Sequence, residues 1–326
     1  LTTLNMKEPI RPIQGYTGQE LPEQEPRPHE PFNWEVWERL HEQTGLVFHA
    51  HYQYWPGYAS PVSAALGKLD GVEFAVPDMV ERGPKTRQDI EAPGHELTGA
   101  GQMWYHMLNC GARLPLCGGT DKMSASRVVG GGVRTYAKVD EPTHDGFIDA
   151  LRRGRTFVTN GPLIEFTVDE QSPGSTVELT GAGPHTIHLK AECYTEKPIL
   201  YFQIVKNGEV ISDQPVKADE KRVEVAMDLV VEASCWLALR VGHRRYDPNN
   251  WENAVTAAHS SPVWMLIDGE PPAVRASAEY MIARMTTSLA WCKEEARYTT
   301  DARKAEAVEA YEQAMAFYQA ALDRAP

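Results

Sequence analysis

The apolar period of this chain changes twice along its length, and those two changes limit the folds open to it. From Asn33 to about Pro162, short apolar runs alternate with segments of helical spacing. From Leu163 to about Asp268, apolar residues recur at every second position, and from Ala273 onward the spacing is helical again. A period of two buries one face of a strand and a period near 3.6 buries one stripe of a helix, so no single layer serves all three zones. The pattern predicts three units: 1–162, 163–270 and 271–326.

In the first zone Asn33 caps a helix bearing Trp34, Trp37 and Leu40, and Gly45 ends it. Leu46 to His51 reads as a short buried strand, and Gly71 to Val76 as a second. A helix from Leu97 to Asn109 carries Met103, Met107 and Cys110 along one side, with Gly111 as its C-cap. Leu114 to Cys117 is a short strand that opens into Gly118-Gly119-Thr120-Asp121, and the helix from Phe147 to Arg153 stops at Gly154. Strand–helix alternation implies an α/β layer on a largely parallel sheet.

The second zone reads as an antiparallel β-sandwich of short strands, with a hairpin at Asn207-Gly208, where both residues tolerate positive φ. The third reads as a helical hairpin. Met281, Met285, Leu289 and Cys292 mark its first arm, Val308, Tyr311, Met315, Tyr318 and Leu322 its second, and Thr299-Thr300-Asp301 its turn and cap. The second stripe fits core packing or a contact between copies in a homo-oligomer.

The formal charge of −13 over 326 residues excludes general attraction to phosphate backbones or anionic membranes. No run approaches the roughly 18 apolar residues that span a bilayer. The five cysteines are scattered with no Cys-x-x-Cys pair, so neither a zinc knuckle nor a disulfide scaffold is expected. Residues 1–33 hold six prolines among acidic residues and should run extended over a surface. With Leu1 in place of Met, the chain reads as trimmed or processed at its start.

Chemistry concentrates at His49-Ala50-His51. Residues two apart on a strand share a face, so both imidazoles project to one side with Val47, while Leu46, Phe48 and Ala50 face the other. Ligand sites of α/β sheets lie at the carboxyl ends of the strands, where His51 falls. Two neutral imidazoles there suit zinc, manganese or iron, or are hydrogen-bonded histidines at a strand end. Gly118-Gly119-Thr120-Asp121 also follows a strand, so its carboxylate emerges at a strand end, as a metal ligand or as a turn residue. His259-Ser260 is no serine dyad, since neighbours on a strand point apart and no Gly-x-Ser-x-Gly elbow occurs.

Gly45 to His51 and Gly118 to Asp121 resemble the later metal motifs of PHP-type (polymerase and histidinol phosphatase) metallohydrolases. Leu108 to Pro115, Gly130 to Tyr136 and Ala150 to Pro162 are similar to the carbaryl-hydrolase-like CehA/McbA branch, and the likeness covers most of the chain. It implies an α/β fold, a partial distorted β/α barrel, followed by an Ig-like β-sandwich and a C-terminal helical hairpin. It implies divalent metal ions (Zn, Mn or Fe) and hydrolysis of ester, carbamate or related bonds of a small-molecule substrate through metal-bound hydroxide. A PHP-class phosphoesterase and a non-catalytic binding or scaffold protein with a degenerate metal site are the alternatives.

Residue by residue, His51 matches the histidine of the family's strand-end motif, with Tyr52 in place of its proline. Asp121 matches the aspartate of the Asp-x-His motif, with Met123 where the histidine would stand. His49 and Glu73 complete the candidate ligands. Lys122 and Arg155 are the candidate stabilisers of developing negative charge, or else surface charges. Tyr52, Tyr54 and Trp55 form the candidate wall for an aryl leaving group, or else core at the rim. The family's N-terminal His-x-His motif has no counterpart, which makes the chain the C-terminal part of such an enzyme.

Overall fold

A computed structural model describes residues 2–8, 32–49, 60–74, 100–120, 130–217, 219–244 and 255–326. The first sheet runs in the order β1 (Thr2–Leu4), β2 (Leu46–His49), β3 (Gly71–Phe74), β4 (Leu116–Gly118). β2, β3 and β4 are parallel, and β1 closes one edge antiparallel to β2. Parallel strands need crossovers. Helices α1 (Asn33–His41), α2 (Ser60–Ala65) and α3 (Ala100–Asn109) precede β2, β3 and β4 in turn.

Every residue of β2 is buried, because both faces of this sheet are covered. Val47, Val72, Phe74 and Leu116 face a large core with Trp37, Trp104 and Leu108. Leu46, Phe48 and Cys117 face a smaller cluster with Ile148 and Leu151 of α4 (His144–Arg153). At the start of α1 the N–H of Phe32 donates to the Glu35 carboxylate at 2.8 Å, so Glu35 takes the capping role that Asn33 was expected to fill. At its end the left-handed residue is Thr44 (φ 64°) and not Gly45. The need at Gly45 is for space: a Cβ there would meet Leu40 Cγ at 2.6 Å.

The expected fold needs correction. Among the described residues no barrel, whole or partial, closes. β5 (Arg134–Ala137) and β6 (Thr156–Thr159), which fall inside the predicted first unit 1–162, pair antiparallel with each other. β6 also pairs with β14 (Val255–Ser260), which draws both strands into an eight-stranded sheet built largely from the later zone. That sheet is mixed, since β8 (Thr176–Leu179) runs parallel to β15 (Val263–Ile267). The parallel sheet therefore stops at β4 as an open four-stranded layer. A separate three-stranded sheet, β12 (Arg222–Val231), β9 (His185–Tyr194), β7 (Leu163–Val168), shares a second core with the eight-stranded sheet.

Within the eight-stranded sheet, β10 (Tyr201–Lys206) and β11 (Glu209–Pro215) turn at Asn207 (φ 51°) and Gly208 (φ 89°), the pair the sequence singled out. β13 (Cys235–Arg244) pairs with β10 on one side and with β14 and β15 on the other. Helices α5 (Arg275–Glu294) and α6 (Asp301–Arg324) pack on each other, and Thr300 Oγ1 caps α6 by accepting from Arg303 N–H at 3.2 Å. Their stripe is core: Met281, Met285, Tyr311 and Tyr318 are buried beside Trp37 and Leu108. Tyr318 also donates to the carbonyl of Pro61 in α2 at 2.8 Å. No described helix is long and apolar enough to cross a membrane.

Candidate functional site

The carboxyl ends of β2, β3 and β4 lie along one edge because the three strands are parallel, with His49 level with Val72 and Val72 level with Leu116. His49 is the last residue of β2 and points, with Val47, to the large-core face, as the strand period requires. Its imidazole is buried, lies 5.7 Å from the ring of Trp37, and shares a hydrogen bond through Nδ1 with the hydroxyl of Ser60. Ser60 opens α2, and Ser63 lies one turn on, on the same helical face.

Two buried polar atoms, Trp37 Nε1 on α1 and Ser63 Oγ on α2, have no hydrogen-bond partner among the described residues. A buried polar group left unpaired costs roughly 1–3 kcal/mol, so such atoms mark a place where a polar occupant is missing or where function holds the strain. An imidazole nitrogen is a ligand type that zinc and manganese accept, and His49 supplies one such group, with the Ser60 hydroxyl at its Nδ1.

Glu73 is not part of that set. It is level with Cys117, and both belong to the opposite face of the sheet from His49. Gly119 explains how the carboxylate fits, because a Cβ there would collide with Glu73 Oε1. Burial, and then the charge of Glu73, push the Cys117 thiol well above its usual pKa. The two described ligand candidates thus do not converge, and the described residues contain no group of three His, Cys, Asp or Glu able to hold a metal ion.

Arg155 is placed elsewhere as well. It precedes β6 next to Gly154, where a Cβ would meet Pro115 Cγ at 3.0 Å, at the amino end of β4. That is about 10 Å of strand from the carboxyl edge at roughly 3.3 Å per residue. Its guanidinium pairs with Asp140 at 2.9 Å. His51, Tyr52, Tyr54, Trp55, Asp121 and Lys122 lie outside the described residues.

A second buried histidine escaped the sequence reading as a network. His259 Nδ1–H donates to the carbonyl of Ser260 at 2.8 Å, and Nε2 accepts from the phenol of Tyr105 at 2.5 Å. Burial first, and then the charge of Arg240, lower its pKa to about 3, so the ring is neutral. The Ser260 hydroxyl accepts from Leu239 N–H at 3.0 Å, while both ring nitrogens of His259 are engaged elsewhere, so the two side chains form no serine dyad. Ser60 carried only a faint signal, a serine ahead of Pro61 at a helix start, and nothing local pointed from Tyr105 to His259.

No protein-family model matches this chain, and no curated protein matches it.

Proposed function

We propose that the chain is a metal-dependent hydrolase of ester, carbamate or related bonds, with its site at the carboxyl edge of β2 and β4. The observation that carries this reading is His49, buried at the end of a parallel strand with its ring 5.7 Å from that of Trp37 and its Nδ1 on the Ser60 hydroxyl. Parallel sheets hold their ligands at that edge. In the sequence His51 follows β2 by two residues and Asp121 follows β4 by three, and both sit in the stretches that resemble PHP-type metal motifs.

A divalent ion bound there would lower the pKa of water toward about 7 and polarise the scissile oxygen. His49 would supply one nitrogen to it, with Ser60 fixing the ring. The buried aromatic wall of Trp37 keeps bulk water from that side of the imidazole.

Metal analysis of the wild type beside His51→Ala and Asp121→Ala tests the reading, together with p-nitrophenyl esters and phosphates assayed with added zinc or manganese. Loss of bound metal in both variants, with ester turnover in the wild type, is the expected result. Equal metal content in all three proteins would remove the assigned ligands, and turnover of phosphates alone would make the enzyme a phosphoesterase. Two observations favour the second reading, a non-catalytic binding or scaffold protein: Glu73 faces away from His49, and Arg155 is engaged by Asp140.

A further inference from the structure

We propose that β12 is the surface through which two copies of this chain pair, edge to edge and antiparallel, with Met227 on the two-fold axis. The proposal shares no residue with the hydrolase reading and does not depend on it.

Among the described residues β12 pairs with β9 alone, so its other side is an open edge. Such an edge carries a row of N–H and C=O groups that a further strand satisfies. The other edges of these two sheets are shorter or blunted. β5 and β8 have four residues each and β7 has six, while β11 has a bulge in its pairing with β10 and ends in Pro215. β12 runs for ten residues in unbroken register and contains no proline.

One hydrogen bond fixes which backbone groups face that edge. The N–H of Thr195 donates to the carbonyl of Lys221 at 3.0 Å, one place before the facing pair Arg222 and Tyr194. Bonded and non-bonded pairs alternate along an antiparallel ladder. The odd-numbered residues of β12 therefore turn their backbone groups to β9, and Arg222, Glu224, Ala226, Asp228 and Val230 turn theirs to the open edge. The odd-numbered side chains Val225, Met227 and Leu229 pack on the second core and are only partly buried.

That parity restricts how a second copy adds. Even residues must face even ones and odd residues odd ones, which leaves two registers that overlap β12 along its whole length. The first puts Ala226 on the axis and sets Glu224 opposite Asp228 twice, and like charges directly opposite destabilise a sheet. The second puts Met227 on the axis. Glu224 then faces Val230, Asp228 faces Ala226, and Arg222 faces Glu232 at both ends of the seam. The side chain of Arg222 is 56% exposed and Glu232 is exposed, so both are free to reach across. On the inner face Val225 meets Leu229, and the two cores run on into each other. The occupant that this charge pattern fits is a second copy of the chain, joining two three-stranded sheets into one.

Sedimentation of the 326-residue chain over a concentration series tests the proposal. A concentration-dependent dimer is expected for the wild type. Ala226→Pro removes an N–H from the open edge and leaves the ladder to β9 intact, so it should be a folded monomer by circular dichroism and sedimentation. Glu232→Arg and Arg222→Glu each set like charges across the seam and should weaken the dimer by about ten-fold or more. An equimolar mixture of the two restores opposite charges at both ends and should associate as the wild type does. Should Arg222→Glu fail to fold, Glu232→Arg and Ala226→Pro still decide the matter. With diamide as oxidant, Met227→Cys should form an interchain disulfide across the axis and Ala226→Cys should not; all five native cysteines are buried.

A wild type that stays monomeric throughout would overturn the proposal and make the charges of β12 guards against pairing. A dimer that Ala226→Pro leaves unchanged would overturn it too, by placing the interface elsewhere. A dimer lost in Ala226→Pro but cross-linked through Ala226→Cys would overturn the register.

Discussion

The phenol of Tyr105 donates to Nε2 of His259 at 2.5 Å, joining α3 to β14 across 154 positions of sequence. The pair sits in an aromatic cage, with the imidazole 5.3 Å from the ring of Trp104 and 6.4 Å from that of Phe74. It fastens the layer behind the parallel sheet to the eight-stranded sheet.

Tyr105→Phe keeps the ring and removes the donor, so Nε2 is left buried without a partner. The expected loss is about 1–3 kcal/mol, read as a lower urea midpoint with unchanged m-value. No change in midpoint would show that the bond contributes nothing.

The same histidine sets an acid limit. Burial lowers the pKa of His259 to about 3 and that of His106 to about 4, from 6.5 in the unfolded chain. Between those values the unfolded state binds more protons than the folded state, so stability falls as pH drops from about 6.5 toward 3–4 and is flat in this respect above 7. Urea unfolding from pH 7 to pH 4 should show that decline. A double variant, His106→Gln with His259→Gln, should show a shallower one. Parallel slopes would assign the acid sensitivity to other groups.

Thr44 holds a left-handed conformation (φ 64°) that a β-branched residue adopts at a cost, while its hydroxyl and carbonyl accept from Asn5 Nδ2. Thr44→Gly removes the strain and is expected to stabilise the chain by about 1 kcal/mol. Thermal unfolding measures it, and a lower Tm would mean that the Asn5 contacts outweigh the strain.

On the outer face of the three-stranded sheet, Glu165, Glu192 and Glu224 stand side by side in one row across three strands. Arg222 hydrogen-bonds Glu192 and holds its carboxyl below the usual range. Like charges directly opposite one another destabilise a sheet. Glu165→Gln should therefore raise Tm at low salt, with the gain shrinking in 1 M salt, where screening acts within about 3 Å. A gain that does not depend on salt would exclude repulsion as its cause.

Much of the local structure was legible because it depends on neighbours in sequence. The Asn207-Gly208 turn, the Thr300 cap and the apolar stripe of α6 each need only a few adjacent residues to specify them. The barrel expectation failed at β5 and β6. Their sequences suit strands, but Ser260 pairs with Phe157 from about a hundred positions away, and no local period encodes that choice.

The candidate site divides in the same way. The sequence by itself determined that His49 shares a face with Val47, because parity within one strand follows from the backbone repeat of two. Only the tertiary structure decided that Glu73 falls on the other face, that Ser60 meets Nδ1, and that Arg155 is spent on Asp140. Parity between strands depends on register, and register is set by which faces become buried together once the whole chain has packed.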